Sequence, residues 1–468
     1  MSQIIGRKKE RELLLNALES SQSELIAVYG RRRVGKTFLI RECYRKDLVF
    51  EVTGLFNGSM KEQLYNFTKS LSDATDESLP TSWLEAFERL EKKIDRLRSK
   101  KKKVLFIDEF PWMVTARSNF LMAFENFWNH YCTKRNDLVV VICGSAASYM
   151  VHKIVNNKGG LHNRITQKIR LLPFNLSETD LFLKHKGIRY TNYDVVQLYM
   201  AIGGVPHYLD KLKKGESVAQ NIDRLCFEKD GILIDEFDRL FRSLFDNSEK
   251  YILLIKTLAG VNKGITRQEL LDRSGISGGG DFSWKLIELI ESGFVSESPF
   301  YKNKKQLTLY RLSDEYSRFY LKFIQQHKGN GPGTWQRLFK SQSYNSWSGF
   351  SFENLCLKHI YQLKRSLRID AIYSLNSSWF NQHAQIDLLI DRDDNIITIC
   401  EMKFYNTDYT IDKKSYHNLK NKLHEFQQET GTRKNIFLTM VTSYGIKENE
   451  YSRELVQNEL KIDSLFND

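Results

Sequence analysis

The sequence predicts an α/β protein of several domains. Three observations point there. A short apolar run of buried-strand type, Leu25-Ile26-Ala27-Val28-Tyr29, enters a glycine-rich loop and then a helical stretch, 38–44. Two further apolar runs, 104–107 and 138–143, read as buried strands. Near the C-terminus an alternating strand, 385–391, passes through a turn at 392–395 into a second strand, 396–404. At roughly 100 to 200 residues per domain, 468 residues suggest two to four domains.

Composition narrows the class. With 41% hydrophobic and 12% aromatic residues the chain can build several cores, which excludes a wholly disordered protein. Ordinary glycine (26) and low proline (6) exclude collagen-like and low-complexity classes. Six cysteines stand far apart, without a CxxC pair or a Cys/His knuckle, so neither a zinc module nor a disulfide framework is indicated. The first ten residues lack a secretory apolar region, and no apolar run approaches the roughly 18 residues of a membrane span. The expectation is a cytoplasmic, reduced, soluble protein with no membrane partner. A net charge of +13 asks for an acidic partner, whether nucleotide, nucleic acid or membrane surface.

The first element carries the most specific chemistry. Gly30-Arg31-Arg32-Arg33-Val34-Gly35-Lys36-Thr37 is GxxxxGK[ST] between a strand and a helix. Gly30 and Gly35 allow a loop whose amides turn inward toward phosphate oxygens, and the helix starting near Lys36 adds its positive dipole end. Lys36 would reach the β- and γ-phosphates, and Thr37 would ligate Mg²⁺. Residues Gly30 through Phe38 are therefore the expected ATP contacts. The strand 104–107 ends in Asp108-Glu109. Asp108 would hold the magnesium through water and Glu109 would polarise the attacking water. The strand 138–143 ends in Gly144-Ser145, where Ser145 is either a polar sensor near the γ-phosphate or the N-cap of a following helix. Arg164, ahead of a strand expected at 165–172, is either a source of transition-state charge, in cis or from a neighbouring subunit, or a surface arginine. In trans it would require a homo-oligomer. The tract Lys100 to Lys103 is either a phosphate-backbone contact or a solvated helix end.

Taken with Ile5-Gly6-Arg7-Lys8-Lys9-Glu10, Phe106-Ile107-Asp108-Glu109-Phe110, Cys143-Gly144-Ser145 and Gly203-Gly204-Val205-Pro206, these motifs resemble the archaeal-type AAA ATPase family. That family belongs to the STAND-related P-loop ATPases on the additional-strand side of the fold. The resemblance covers about residues 1–245. It implies a P-loop αβα core (1–175) and a helical lid (176–245). It also implies that Gly6 and Arg7 border the adenine and that the Gly203–Pro206 turn packs from the lid toward the nucleotide.

Residues 246–313 read as a winged helix. A helix at 251–259 comes first. A second opens on a capping box, Thr266 with Glu269. A third, 282–292, offers Leu286, Ile287, Leu289 and Ile290 to the core, and a two-stranded ribbon follows with Lys302, Lys304 and Lys305 in its loop. The third helix is poor in base-reading side chains, and Asp281, Glu288 and Glu291 would repel phosphates, so the module is either a DNA contact or an intramolecular or protein-binding one. Glycines at 329, 331 and 333 suggest a surface linker before the last domain, placed at 314–345.

In 346–468 a helix from Gly349 would carry Glu353 in its first turn. Along the first strand Ile386, Leu388 and Ile390 share one face and Gln385, Asp387 and Leu389 the other; Glu401 and Lys403 interrupt an otherwise apolar second strand. Buried charges of this kind are costly unless paired or bound to a cation. Asp387, followed after fourteen residues by Glu401-x-Lys403, has the spacing of a metal-dependent nuclease site: Asp387 and Glu401 holding Mg²⁺, Lys403 stabilising developing charge, and Glu353 as a further carboxylate. Salt-bridged strand residues are the other reading. The segment from Tyr310, with Arg311 to Glu315 and Arg318-Phe319-Tyr320, resembles the DUF234-type unit that follows archaeal-type ATPases and winged helices, similar to the PD-(D/E)xK superfamily. Ile386 stands where that superfamily has proline.

The expected protein is a Mg²⁺-dependent ATPase coupled to a nuclease-like effector, with ATP and DNA as candidate partners. The alternative is an ATP-dependent switch whose last domain only binds. Charge qualifies the DNA expectation: residues 1–175 carry +11, 176–245 carry −1, 246–345 carry +5 and 346–468 carry −2. The domain expected to meet DNA is the slightly acidic one.

Overall fold

The computed structural model describes all residues except 1–3, 72–77, 99–100, 116–117, 146–149, 151–163, 246, 262, 302–306, 340 and 468. The chain divides into two compact units, Met1–Leu172 and Pro173–Asp468.

The first unit is built on five parallel strands: β1 (Glu24–Tyr29), β2 (Leu48–Thr53), β3 (Lys103–Asp108), β4 (Leu138–Gly144) and β5 (Gln167–Arg170), in the order β2-β3-β4-β1-β5. β4 thus separates β1, which leads into the glycine-rich loop, from β3, which ends in Asp108. Strict alternation divides the sheet's two faces. Leu25, Ala27, Leu105, Ile107, Val140 and Ile142 pack with Trp83, Phe87 and Phe120. Ile26, Val28, Val104, Phe106, Val139 and Val141 pack with Leu14, Leu39, Ile40 and Tyr44 on the other side. Strands apolar on both faces need helices on both faces, and the αβα layering follows.

The second unit begins with helices from Leu176–His185 to Glu236–Leu244. Helices Ser248–Ala259, Arg267–Ser274 and Gly280–Glu291 follow, with β6 (Ile265–Thr266), β7 (Val295–Pro299) and β8 (Thr308–Leu312) in the order β6-β8-β7. The Thr266–Glu269 capping box is present. Ile287, expected in the core, is exposed; Phe282, Leu286 and Leu289 form the buried face instead. The acids expected to repel phosphates are engaged, Asp281 with Lys285 and Glu288 with Tyr251. The ribbon is docked on the last domain: Tyr301 N–H donates to Ser378 O at 3.0 Å, and Phe300 bridges to Ser378. Lys302, Lys304 and Lys305 lie outside the described residues.

The expected linker is helical and buried at 315–324 and helical again at 334–338, while 325–333, which carries the glycines, is a mostly exposed turn region. Helices Glu315–Phe319 and Thr334–Leu338 and a π-helical turn, Tyr320–Ile324, bury Tyr316, Phe319, Phe323 and Trp335. Trp335 stacks edge-on against Phe319, Phe323 and Trp347, with ring centroids 4.8–5.9 Å apart. The aromatic side chains on either side of the glycine-rich turn anchor the segment to the core.

The last sheet holds β9 (Ser374–Phe380), β10 (Gln385–Arg392), β11 (Ile396–Lys403), β13 (Asn435–Thr442) and β15 (Val456–Lys461), while β12 (Tyr409–Thr410) pairs with β14 (Ile446–Lys447). Its order is β15-β13-β11-β10-β9, antiparallel from β9 to β11 and parallel beyond. Leu388, Ile390, Cys400 and Met402 join the core shared with the preceding helices. Leu389, Ile397 and Ile399 pack on Tyr416, Leu419 and Phe426 of helix Lys413–Thr430. Ile386 falls with Leu389, not with Leu388 and Ile390, because a bulge between Ile386 and Leu389 resets the alternation.

Candidate functional site

The glycine-rich loop leaves β1 with Gly30 at φ 147, and a Cβ there would stand 2.2 Å from Leu171 O. Leu171 N–H donates to Tyr29 O at 2.7 Å, so β5 walls the loop closely enough to demand glycine. Arg33 and Gly35 also take positive φ, 71 and 91, which turns the loop back on itself before helix Lys36–Cys43. Lys36 Nζ is buried and donates to Gly30 O at 2.9 Å and Arg31 O at 3.0 Å. Thr37 Oγ1 donates to Asp108 Oδ2 at 2.7 Å, joining the two sequence-distant halves of the site. The Arg7 guanidinium donates to Val34 O at 3.3 Å, tying the N-terminal segment to the loop. Phe38 is exposed on the first helical turn.

Glu109 sits at φ 44, ψ 45, a left-handed backbone unusual for a residue with a side chain. Its Oε2 accepts from Ser145 Oγ at 2.9 Å and Ser145 N at 3.3 Å. Ser145 therefore orients Glu109. The alternative reading, an N-cap for the next helix, falls on residues 146–149, outside the described ones. Sequence reasoning missed Trp112, whose ring lies 5.3 Å below the Arg32 guanidinium. It also missed Arg170, at the loop end of β5 beside Tyr29. The signal for Arg170 was the parallel pairing of β5 with β1, which a sequence does not display.

Of the three readings of Arg164, the role in cis does not fit its position. It is exposed and lies where β5 begins: Thr166 N donates to Leu25 O, at the start of β1. The loop lies at the other end of that strand, five residues and roughly 16 Å away at the rise of an extended strand. A role in cis at this loop is not supported. Lys102 and Lys103 are at the same far end, and Lys103 pairs with Asp137 at 2.6 Å.

The Gly203–Pro206 turn closes within its own unit. Phe174 N–H donates to Gly204 O at 2.8 Å, and a Cβ on Gly204 would meet Phe174 O at 2.0 Å.

In the second unit Leu388 pairs with Cys400, so Asp387 and Glu401 each lie one residue beyond the last paired positions of β10 and β11. Glu353 sits in the long helix Gln342–Lys358, which starts earlier than expected because Ser341 caps it, accepting from Tyr344 N–H. Glu353 is thus deep in the helix rather than in its first turn. Burial, together with the charges of Asp387 and Glu401, pushes its carboxyl up to about 8. Asp387 Oδ1 accepts from Arg311 Nη2 at 2.9 Å and from Gln385 Nε2 at 2.8 Å. Glu401 is held by Lys403 and Lys422, each at 2.8 Å. Burial alone would raise the Glu401 carboxyl, but these two ammonium groups bring it below its usual range. Burial would likewise lower Lys403, and Glu401 outweighs it, raising the ammonium's pKa. Arg311 and Lys422 were not legible as site residues, since each comes from an element remote in sequence.

The two expected metal sites differ in fit. Thr37 and Asp108 offer a hydroxyl and a carboxylate oxygen side by side, a donor set suited to Mg²⁺. Asp387, Glu401 and Glu353 do not: among the described residues no three His, Cys, Asp or Glu side chains gather as a metal requires, and cations already occupy two of these carboxylates. Among the described residues no helix is long and apolar enough to cross a membrane.

A parallel sheet with a phosphate loop after β1 and an acidic pair after β3 defines a P-loop nucleotide-binding domain. Residues 5–212 match the family described as an ATPase domain predominantly from Archaea. Residues 320–418 match DUF234, described as Archaea bacterial proteins of unknown function. The chain carries an archaeal-type ATPase domain followed by a DUF234 domain. Over 423 residues it is 24% identical to the uncharacterized protein MJECL04 of Methanocaldococcus jannaschii, spanning 89% of this chain and 90% of that protein. Among solved structures it is similar to the Walker-type ATPase PABY2304 of Pyrococcus abyssi, at 16% identity over 68% of this chain and 96% of that one, with a TM-score of 0.47. It is also similar to the ORC2 protein of Aeropyrum pernix in its ADPNP–ADP complexes, at 15% identity over 72% and 96%, with a TM-score of 0.43.

Proposed function

We propose that this chain is a Mg²⁺-dependent ATPase whose nucleotide state controls a nuclease-like domain acting on DNA. The observation that carries the ATPase half is the Thr37–Asp108 hydrogen bond beneath a loop that holds Lys36 on its own carbonyls. Thr37 and Asp108 would hold Mg²⁺, which on binding with ATP neutralises phosphate charge. Lys36 would turn from Gly30 O and Arg31 O to the phosphates. Gly6 and Arg7 would border the adenine. Glu109, oriented by Ser145, would take the proton of the attacking water.

A second reading, a switch whose last domain binds without cleaving, is favoured by the ion pairs on Asp387 and Glu401. The two separate on one set of assays: ATP hydrolysis, and cleavage and binding of supercoiled and linear DNA, with Mg²⁺ or Mn²⁺ and ATP, for wild type, Lys36→Ala and Asp387→Ala. Cleavage by wild type that Asp387→Ala abolishes supports the nuclease. ATP turnover and DNA binding without cleavage under any condition supports the binding module. Absence of ATP binding by wild type overturns both.

A further inference from the structure

The second unit contains a cavity of about 430 Å³ that neither the phosphate loop nor the carboxylate pair explains. Helix Ser248–Ala259 supplies Lys256, the segment after β8 supplies Arg318, Lys322 and Gln325, and helix Gln342–Lys358 supplies Ser346 and Phe350. No acidic residue lines it. Among the described residues Lys256 and Lys322 make no ion pair, and the Arg318 guanidinium donates to a backbone carbonyl, Leu312 O, at 2.8 Å. Elsewhere in this unit Lys358, Lys403, Lys422 and Arg311 all have carboxylate partners. Glu315 and Glu353 act on Arg318 from outside the cavity, but no carboxylate lines the cavity itself, so the charge it presents is positive and attracts an anion. Burial, and then Arg311, push Arg318 down to about 10, against the opposing pull of Glu315 and Glu353, so it remains a cation at neutral pH. The walls between the charges are apolar and aromatic, with Phe350 and the Trp347 ring. The volume is in the range of small-molecule sites.

We propose that this cavity is a second nucleotide-phosphate site, in which Arg318, Lys256 and Lys322 take the phosphate, Gln325 and Ser346 donate to it, and Phe350 and Trp347 flank the ring. The phosphate comes either from a free mononucleotide or from a nucleic-acid strand. The site continues toward the carboxylates, because Ser346, Phe350 and Glu353 are four and three residues apart and share one face of their helix. The proposal is independent of whether Asp387 and Glu401 cleave anything.

The test uses the full chain carrying Lys36→Ala, so that the phosphate loop is disabled. Isothermal titration calorimetry is run with AMP, with ADP and with 5′-phosphorylated hexathymidylate. Saturable binding of at least one probe is expected, and Lys256→Gln with Lys322→Gln should weaken it about tenfold, as lost phosphate contacts do. Both lysines are exposed, so the pair should leave the melting curve unchanged. Lys213→Gln with Lys214→Gln, exposed in the same unit but away from the cavity lining, is the control. Binding of AMP or ADP assigns the free nucleotide; binding of the oligonucleotide alone assigns the strand. No saturable binding of any probe, unchanged affinity in the Lys256/Lys322 variant, or an equal loss in the control variant overturns the proposal.

Discussion

The phosphate loop and the C-terminal carboxylates place charge at strand ends in opposite ways. In the loop, Lys36 is positioned by two backbone carbonyls and Asp108 by a hydroxyl and the Glu109 N–H. These dipoles orient the charges without cancelling them, so an incoming phosphate meets an intact ammonium. At the carboxylates, Arg311 lies on Asp387 and two lysines lie on Glu401. There, position is bought with neutrality, and any cation must displace an ion pair in a largely buried setting. The same residue types thus yield a site open to ligand in one unit and a closed one in the other.

The strongest challenge to this comparison is Arg311→Ala. It leaves Asp387 largely buried without its cation, and unfolding by denaturant should show a loss of about 3–5 kcal/mol; a change below 1 kcal/mol would mean that the pair does not close the site. Next, Lys36→Ala should lower ATP turnover about 100- to 1,000-fold while the melting curve moves little, as expected when a positioned charge that acts on the transition state is removed. Equal loss of turnover and stability would place Lys36 in the fold rather than the chemistry.

Glu353 sharpens the contrast through pH. Below about 4.5 its carboxyl is protonated in both the folded and unfolded chain. Between that value and about 8 only the unfolded chain ionises, so this residue makes stability fall as pH rises through the window. Glu353→Gln removes the decline and should be the more stable protein at pH 8 by on the order of a few kcal/mol, read from denaturation at pH 5 and pH 8. A wild-type and variant difference that does not change with pH refutes the burial of that carboxyl. The smallest effect is local: Thr266→Ala breaks a capping box and should cost about 1 kcal/mol with ATP turnover unaffected.

The legible parts of the molecule are those in which neighbours in sequence do the work. The loop from Gly30 to Thr37 is contiguous, and its glycines, lysine and threonine are brought together by one strand–loop–helix unit. Asp108 was legible as well, since a buried strand ending in two acids announces itself. The capping box at Thr266 is another four-residue pattern. The misreadings share a cause. Arg164 looked suitable until the parallel register of β5 put it at the wrong end of β1. The stretch 314–345 reads as a linker from its glycines, which do form an exposed turn, but its flanking aromatic side chains pack with Trp347 in the core of the second unit. Ile386 changed face because of one bulge, a feature of strand pairing with no mark in the alternation.

By itself the sequence determined the phosphate loop, the acidic strand end and the hairpin that carries Asp387 and Glu401, because each is a short-range pattern of backbone preference and side-chain period. Only the tertiary structure decided what those groups are paired with: Ser145 on Glu109, Arg311 on Asp387, Lys422 on Glu401, and the gathering of Lys256, Arg318 and Lys322 around one cavity. The physical reason is that a charge's state depends on its neighbours within a few ångströms and on its burial, and in this chain those neighbours come from elements tens of residues apart.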